Sequence, residues 1–164
     1  MTICAIQWPE LAPSSATALL TARATFAHIG LVVADMASAK HALSAGRDVR
    51  WKDAGFVTLD LVLKGQPQTL DLHIAHSIGG NPRVELIEAV PGTIWSDADE
   101  TRAHHYCYWS DDDESLCRDI EKTGGKRLLG NDGGGSGYFL LPDAGIIEIL
   151  SAATHRRLAA WIGG

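Results

Sequence analysis

Two histidines and two glutamates occupy matching places in two stretches of this chain. HIGLVVADMASAKHAL, opening at His28, and HYCYWSDDDESLCRDI, opening at His105, share one layout at an offset of 77. Each starts with histidine, continues as a β-prone run to an acidic residue, and then turns helical. The runs RVELIEA (83–89) and IIEILSA (146–152) are both short and β-prone, with glutamate in third place at Glu85 and Glu148. Imidazole nitrogen and carboxylate oxygen suit borderline and hard divalent ions, so His28, Glu85, His105 and Glu148 are a candidate N2O2 set for one Zn, Ni, Co, Fe or Mn ion. Such a set can leave two octahedral positions open for a chelating substrate. Taken singly, a strand histidine is more often an ordinary half-buried residue, and solvent-facing alternation competes as the explanation of the glutamates. An unpaired carboxylate inside an apolar strand is costly to bury, and the fourfold coincidence favours ligation.

Neighbouring strand residues point to opposite faces, so His104 and His105 cannot both belong to the set. His28 lies seven residues before Asp35 and His105 seven before Asp112. That register selects His105 and turns His104 toward the linker. His73 and His76, three apart on one strand, do not easily share a site and read as surface or pocket-lining groups. Thr58, Asp60 and Asp71 break apolar runs, and a cleft or a solvated sheet face explains them equally well. Trp95, Tyr106, Trp109 and Tyr138 read as core or pocket wall.

The elements that must position these residues follow from periodicity. Asp35 and Asp112 or Asp113 are natural N-caps, Leu116 and Ile120 form an i, i+4 apolar pair, and Gly46 and Gly124 are C-terminal stops. FVTLDLVLKG and TLDLHIAH alternate at period two around a turn, which makes the first unit β-α-β-β-β. KRLLG (126–130), YFLLPD and IIEIL repeat that order around the glycine-rich NDGGGSG. The glycine run lacks the lysine and hydroxyl of a phosphate-binding loop and reads as a flexible active-site lid. The expected fold is α+β, two pseudo-symmetric βαβββ modules forming a cleft: modules 26–89 and 103–152, linker 90–102, an N-terminal extension 1–25 and a C-terminal helix 153–164.

Composition bounds the partners. The 164 residues are 46% hydrophobic, enough for one core, and a formal charge of −6 supplies no positive field for nucleic acid. Apolar runs are too short for a membrane span, and the start MTICAIQWPELAPSSATALL carries no basic residue before its apolar stretch, so a cytoplasmic protein is expected. Cys4, Cys107 and Cys117 are odd in number and without C-x-x-C spacing, which fits reduced structural thiols.

The blocks HIGLVVAD, VELIEAVPGTIW, HHYCYWSDD and GYFLLPDAGIIEIL resemble, in that order, the motif blocks of the vicinal-oxygen-chelate superfamily, which includes glyoxalase I, methylmalonyl-CoA epimerase, extradiol dioxygenases and fosfomycin or bleomycin resistance proteins. The resemblance covers residues 26 to 152, and the quartet is similar to the His, Glu, His, Glu set of bacterial-type glyoxalase I. It implies a small-molecule substrate with vicinal oxygens or an acidic α-carbon, chelated by the metal as an enediolate or enolate. Glu85 and Glu148 would then flank the reacting carbon as proton carriers of an isomerase, epimerase or lyase. Glutathione and CoA contacts are not recognisable in the chain. Two other classes stay open: an Fe(II)-dependent dioxygenase, against which the fourth ligand argues, and a ligand-sequestering resistance or binding protein. Paired sheets of this kind are compatible with a homodimer.

Overall fold

A computed structural model describes residues 13–63, 65–99, 102–130 and 135–164. Cys4, the first twelve residues of the extension and the centre of the glycine-rich run (131–134) lie outside the described residues. The element order is α1 (Ser15–Arg23), β1 (Thr25–Val33), α2 (Met36–Ser44), β2 (Arg50–Leu63), β3 (Gln66–Ile78), β4 (Arg83–Glu88), β5 (His105–Ser110), α3 (Asp113–Lys122), β6 (Lys126–Gly130), β7 (Gly137–Leu141), β8 (Gly145–Ser151) and α4 (Ala152–Gly163). The α+β expectation holds: β-α-β-β-β occurs twice, and the strands close in the order β1-β4-β3-β2-β6-β7-β8-β5.

Two seams join the repeated units. β1 pairs antiparallel with β5, and β2 meets β6 through Val62↔Gly130 and Leu63↔Leu129. Within each unit the first and last strands run parallel, β1 with β4 and β5 with β8. Strands β4, β1, β5 and β8 are therefore consecutive neighbours, and they carry Glu85, His28, His105 and Glu148 respectively.

Asp35 caps α2, its Oδ1 accepting from Ser38 N–H at 2.7 Å. Asp112 holds the corresponding place before α3 but makes no side-chain cap, because its carboxylate accepts from the Arg23 guanidinium at 3.0 Å instead. An ion pair with a guanidinium competes well with a capping bond to a neutral amide. Gly46 and Gly124 take φ of 70° and 103°, a left-handed conformation that other residues rarely adopt and that ends each helix.

Helix α1, read from sequence as an appendage, is packed into the molecule. Its Ala16 and Leu20 are buried in one cluster with Leu116 and Ile120 of α3 and Phe139 of β7. Asp143, in the turn before β8, accepts from Ser14 Oγ at 2.8 Å and Thr17 Oγ1 at 2.6 Å and pins the start of the helix. Among the described residues, no helix is long and apolar enough to cross a membrane.

Candidate metal centre

Strand register builds the site in two rows on one face of the sheet. In the first row Gly30 stands between Glu85 on β4 and His105 on β5; in the second, Cys107 stands between His28 on β1 and Glu148 on β8. Successive rows lie two residues apart, so all four chemical side chains share a face. The structure thus brings the four residues selected from sequence together, with one candidate ligand atom of each within 4.8 Å of the others.

His28 Nε2 lies 3.5 Å from both Glu85 Oε2 and Glu148 Oε2, and His105 Nε2 lies 3.2 Å and 3.6 Å from the same two oxygens. All four atoms are buried and none has a hydrogen-bond partner. Buried polar atoms are rarely left so. Donor atoms that are close without bonding one another are arranged as ligands that converge on a common centre. With metal–ligand bonds of about 2.1 Å, neighbouring ligand atoms stand roughly 3.0–3.4 Å apart, so the observed spacings fit a divalent ion after shifts of a few tenths of an ångström. The donor chemistry fits too, since two carboxylates balance a dication and two neutral imidazoles add no charge.

Electrostatics describe the same set without a cation. Burial disfavours charge on His28, yet the carboxylates of Glu85 and Glu148 outweigh it and push the imidazole up to about 10. His105 is likewise opposed by burial and raised to about 9, by Glu148 and Glu85. Burial pushes Glu148 upward, but His105 and His28 hold it at about 2, and Glu85 is kept well below the usual carboxylate range. Protons on the imidazoles then supply the positive charge that the carboxylates demand.

A second layer orients this set, and sequence reasoning missed most of it. His104 Nε2 lies 2.8 Å from the Ile94 carbonyl, which can only accept, so this nitrogen donates. Burial lowers the His104 pKa, leaving a neutral ring whose Nδ1 accepts from His105 Nδ1 at 3.1 Å. That bond fixes the His105 proton on Nδ1 and leaves the Nε2 lone pair for a metal. His104 does turn toward the linker, but the turn is what lets it hold its neighbour. On β3, His76 Nε2 lies 3.3 Å from Glu85 Oε1 and steadies the carboxylate by its other oxygen. His76 is buried and lines the cavity, whereas His73 lies outside the quartet with Asp53 and Glu88.

Gly30 was another silent participant. A Cβ built there would come within 1.8 Å of His105 Cε1, so the absence of a side chain is what lets that ring cross β1 toward Glu85. Its signal was legible in principle: a glycine inside a strand pattern marks a close approach.

His28, Glu85 and Glu148 of the quartet line a cavity of about 440 Å³. Trp95 and Tyr138 form part of its wall, packed edge to face at 5.4 Å. Tyr106 is 41% exposed, and Trp109 stacks on His155 at 4.9 Å. Thr58 donates to Asp71 on the exposed sheet face at 2.6 Å, while the exposed Asp60 reaches the cavity and accepts from Thr69.

A twice-used βαβββ unit with a His/Glu quartet across its seam defines the class of protein. The Glyoxalase/Bleomycin resistance protein/Dioxygenase superfamily matches residues 27–139, and the chain belongs to it. No curated protein sequence matches the chain. Among solved structures, a mutant of 4-hydroxymandelate synthase from Streptomyces coelicolor is similar over 79% of this chain and 49% of that one, at 16% identity and a TM-score of 0.50. The hypothetical protein BH1468 from Bacillus halodurans C-125 is similar over 78% and 94%, at 15% identity and 0.47. The fosfomycin resistance protein FosX from Mesorhizobium loti aligns over 82% and 97%, at 18% identity and 0.27.

Proposed function

We propose that this protein is an isomerase, epimerase or lyase that moves a proton at the carbon next to a carbonyl, with His28, Glu85, His105 and Glu148 holding one divalent metal ion. The observation that carries this reading is the convergence of four buried ligand atoms, one from each residue, with no hydrogen-bond partner. When bound, a divalent ion supplies Lewis acidity to the vicinal oxygens of a substrate and to the negative charge that grows as the proton leaves.

The chain's own residues do the rest. Glu85 and Glu148 stand on the two outer strands of the four-strand group, and both line the cavity. One carboxylate can take a proton from a carbon held between them and the other can return it. His76 holds Glu85 through Oε1 and limits how far that carboxylate swings. His104 keeps the His105 proton away from the site. The four ligand atoms are themselves buried from water, which strengthens each electrostatic contact.

The test is metal content together with hydrogen exchange in D2O, using 2-hydroxyacetophenone as an α-hydroxyketone probe. Purified protein is expected to carry about one ion per chain and to place solvent deuterium at the carbon α to the carbonyl. Glu85→Gln and Glu148→Gln should slow exchange by about 10²-fold or more while largely retaining the ion, because an amide oxygen still ligates. Consumption of O2 during turnover, or full exchange activity in both variants with metal bound, refutes the proton-transfer reading.

A further inference from the structure

The cavity has a chemical character that the quartet alone does not dictate. Its side walls come from the inward residues of the long β2–β3 hairpin, Leu59 and Leu61 on one strand and Leu72 and Ile74 on the other. Leu158 and Trp161 of α4 close another side. Among the described residues no lysine or arginine lines it; Lys52 lies 5.8 Å from the Trp161 ring centroid and is not part of the wall. Apart from the quartet, Asp60 is the only carboxylate on the lining among the described residues. Two glutamates around a dication sum to no net charge, so among the described residues nothing on this wall compensates a ligand anion.

Two buried polar atoms on the lining side chains also lack partners. His76 Nδ1 and Trp95 Nε1 make no hydrogen bond, and both residues line the cavity. His76 turns Nε2 toward Glu85 Oε1, which leaves Nδ1 as its unpartnered atom, and the Trp95 indole N–H is an uncharged donor. The indole N–H can meet a hydroxyl or carbonyl oxygen of a ligand, and it brings no positive charge to balance a phosphate or carboxylate. A volume of about 440 Å³ lies within the range of small-molecule sites.

We infer that the substrate is an uncharged aryl or alkyl α-hydroxycarbonyl or α-dicarbonyl compound, its vicinal oxygens at the quartet and its apolar body against the β2–β3 hairpin and α4. This rests on the metal-site reading above, and it sets the protein apart from any use of glutathione, CoA or phosphonate ligands, whose anionic groups would find no cation on the described wall.

Three hydroxamates that share one chelating head test it by calorimetry on the metal-loaded protein. Benzohydroxamate should bind on the order of 100-fold more tightly than acetohydroxamate, from burial of the phenyl ring. 4-Carboxybenzohydroxamate should bind at least about 10-fold more weakly than its parent, because its carboxylate loses water without gaining a partner. Trp161→Ala should keep its metal and its acetohydroxamate affinity while losing most of the benzohydroxamate preference. If acetohydroxamate binds as well as benzohydroxamate, or the carboxylated analogue as well as its parent, the substrate class is wrong and the metal site stands. If the protein takes up no metal and binds none of the three, both readings fall.

Discussion

Replacing Gly30 by alanine adds a single methyl group and should disable the quartet. The new Cβ would sit among Cε1, Nδ1 and Nε2 of His105, well under the 3.0 Å that real Cβ contacts respect. Restoring an ordinary carbon contact of roughly 3.5 Å requires the ring to retreat by more than about 1 Å. It has nowhere to go: the His105 side chain is fully buried, with the Tyr138 ring 5.0 Å away and the His104 ring at 5.4 Å. Overpacking of this kind costs about 1–3 kcal/mol. The larger effect is on the ion, because metal–ligand distances tolerate only about 0.2 Å. At metal one hundred times over its Kd the wild-type protein gains about 2.7 kcal/mol of stability. If Gly30→Ala weakens binding about 100-fold, the same concentration gives only about 0.4 kcal/mol. For a chain of this length the difference is a loss of roughly 5–9 °C in the metal-induced rise in Tm. Thermal melts with and without metal, paired with a competing chelator titration, measure it. Gly163→Ala is the control, since a Cβ there meets nothing within 4 Å. Wild-type metal affinity in Gly30→Ala would show that His105 does not bind an ion from this position.

The second layer gives a graded outcome in the same titration: His105→Ala should lose the metal, whereas His104→Ala should retain it about 10- to 100-fold more weakly, as loss of a tautomer-fixing partner does. Equal affinities for the two variants would defeat the relay from Ile94 through His104. The metal-free protein should lose stability in alkali. His28 and His105 are raised from an ordinary 6.5 to about 10 and 9. Their contribution is therefore complete below pH 6.5 and is lost as pH rises through 9 to 10. Urea unfolding across that range checks it, and a flat profile contradicts the ion-pair assignment. Leu20→Ala should cost about 2–4 kcal/mol, because Leu20 is 2% exposed in the α1–α3 cluster; a change below about 0.5 kcal/mol, the range of surface substitutions, would mean that α1 is dispensable.

Much of the fold was legible because its signals are local. Period-two alternation in β2 and β3, acidic residues before α2 and α3, and glycines after them each act within a few residues, and each element forms where its pattern lies. The quartet was legible because the same positions recur in both halves of the chain. What stayed hidden depends on distant strands becoming neighbours. His76 reaches Glu85 only because β3 pairs with β4 through the register His76↔Glu85. His104 gains its role only when the linker brings the Ile94 carbonyl to it. The packing of α1 was hidden for a related reason: nine residues with two buried positions carry too weak a stripe to announce a partner nearly a hundred residues away.

The repeat also explains why the quartet sits where it does. In each unit the histidine is followed two positions later by a small residue on the same face, Gly30 after His28 and Cys107 after His105. Pairing β1 antiparallel with β5 sets each histidine opposite the other unit's small residue, His28 against Cys107 and His105 against Gly30. Each small residue is flanked on its other side by its own unit's glutamate, Gly30 by Glu85 and Cys107 by Glu148. A histidine from one unit can therefore cross the seam above a small residue and meet the glutamate of the other. Neither unit could build the set alone, since each contributes one histidine and one glutamate. The quartet belongs to the seam, and a short pattern of histidine followed by a small residue, written twice, lines its members up there.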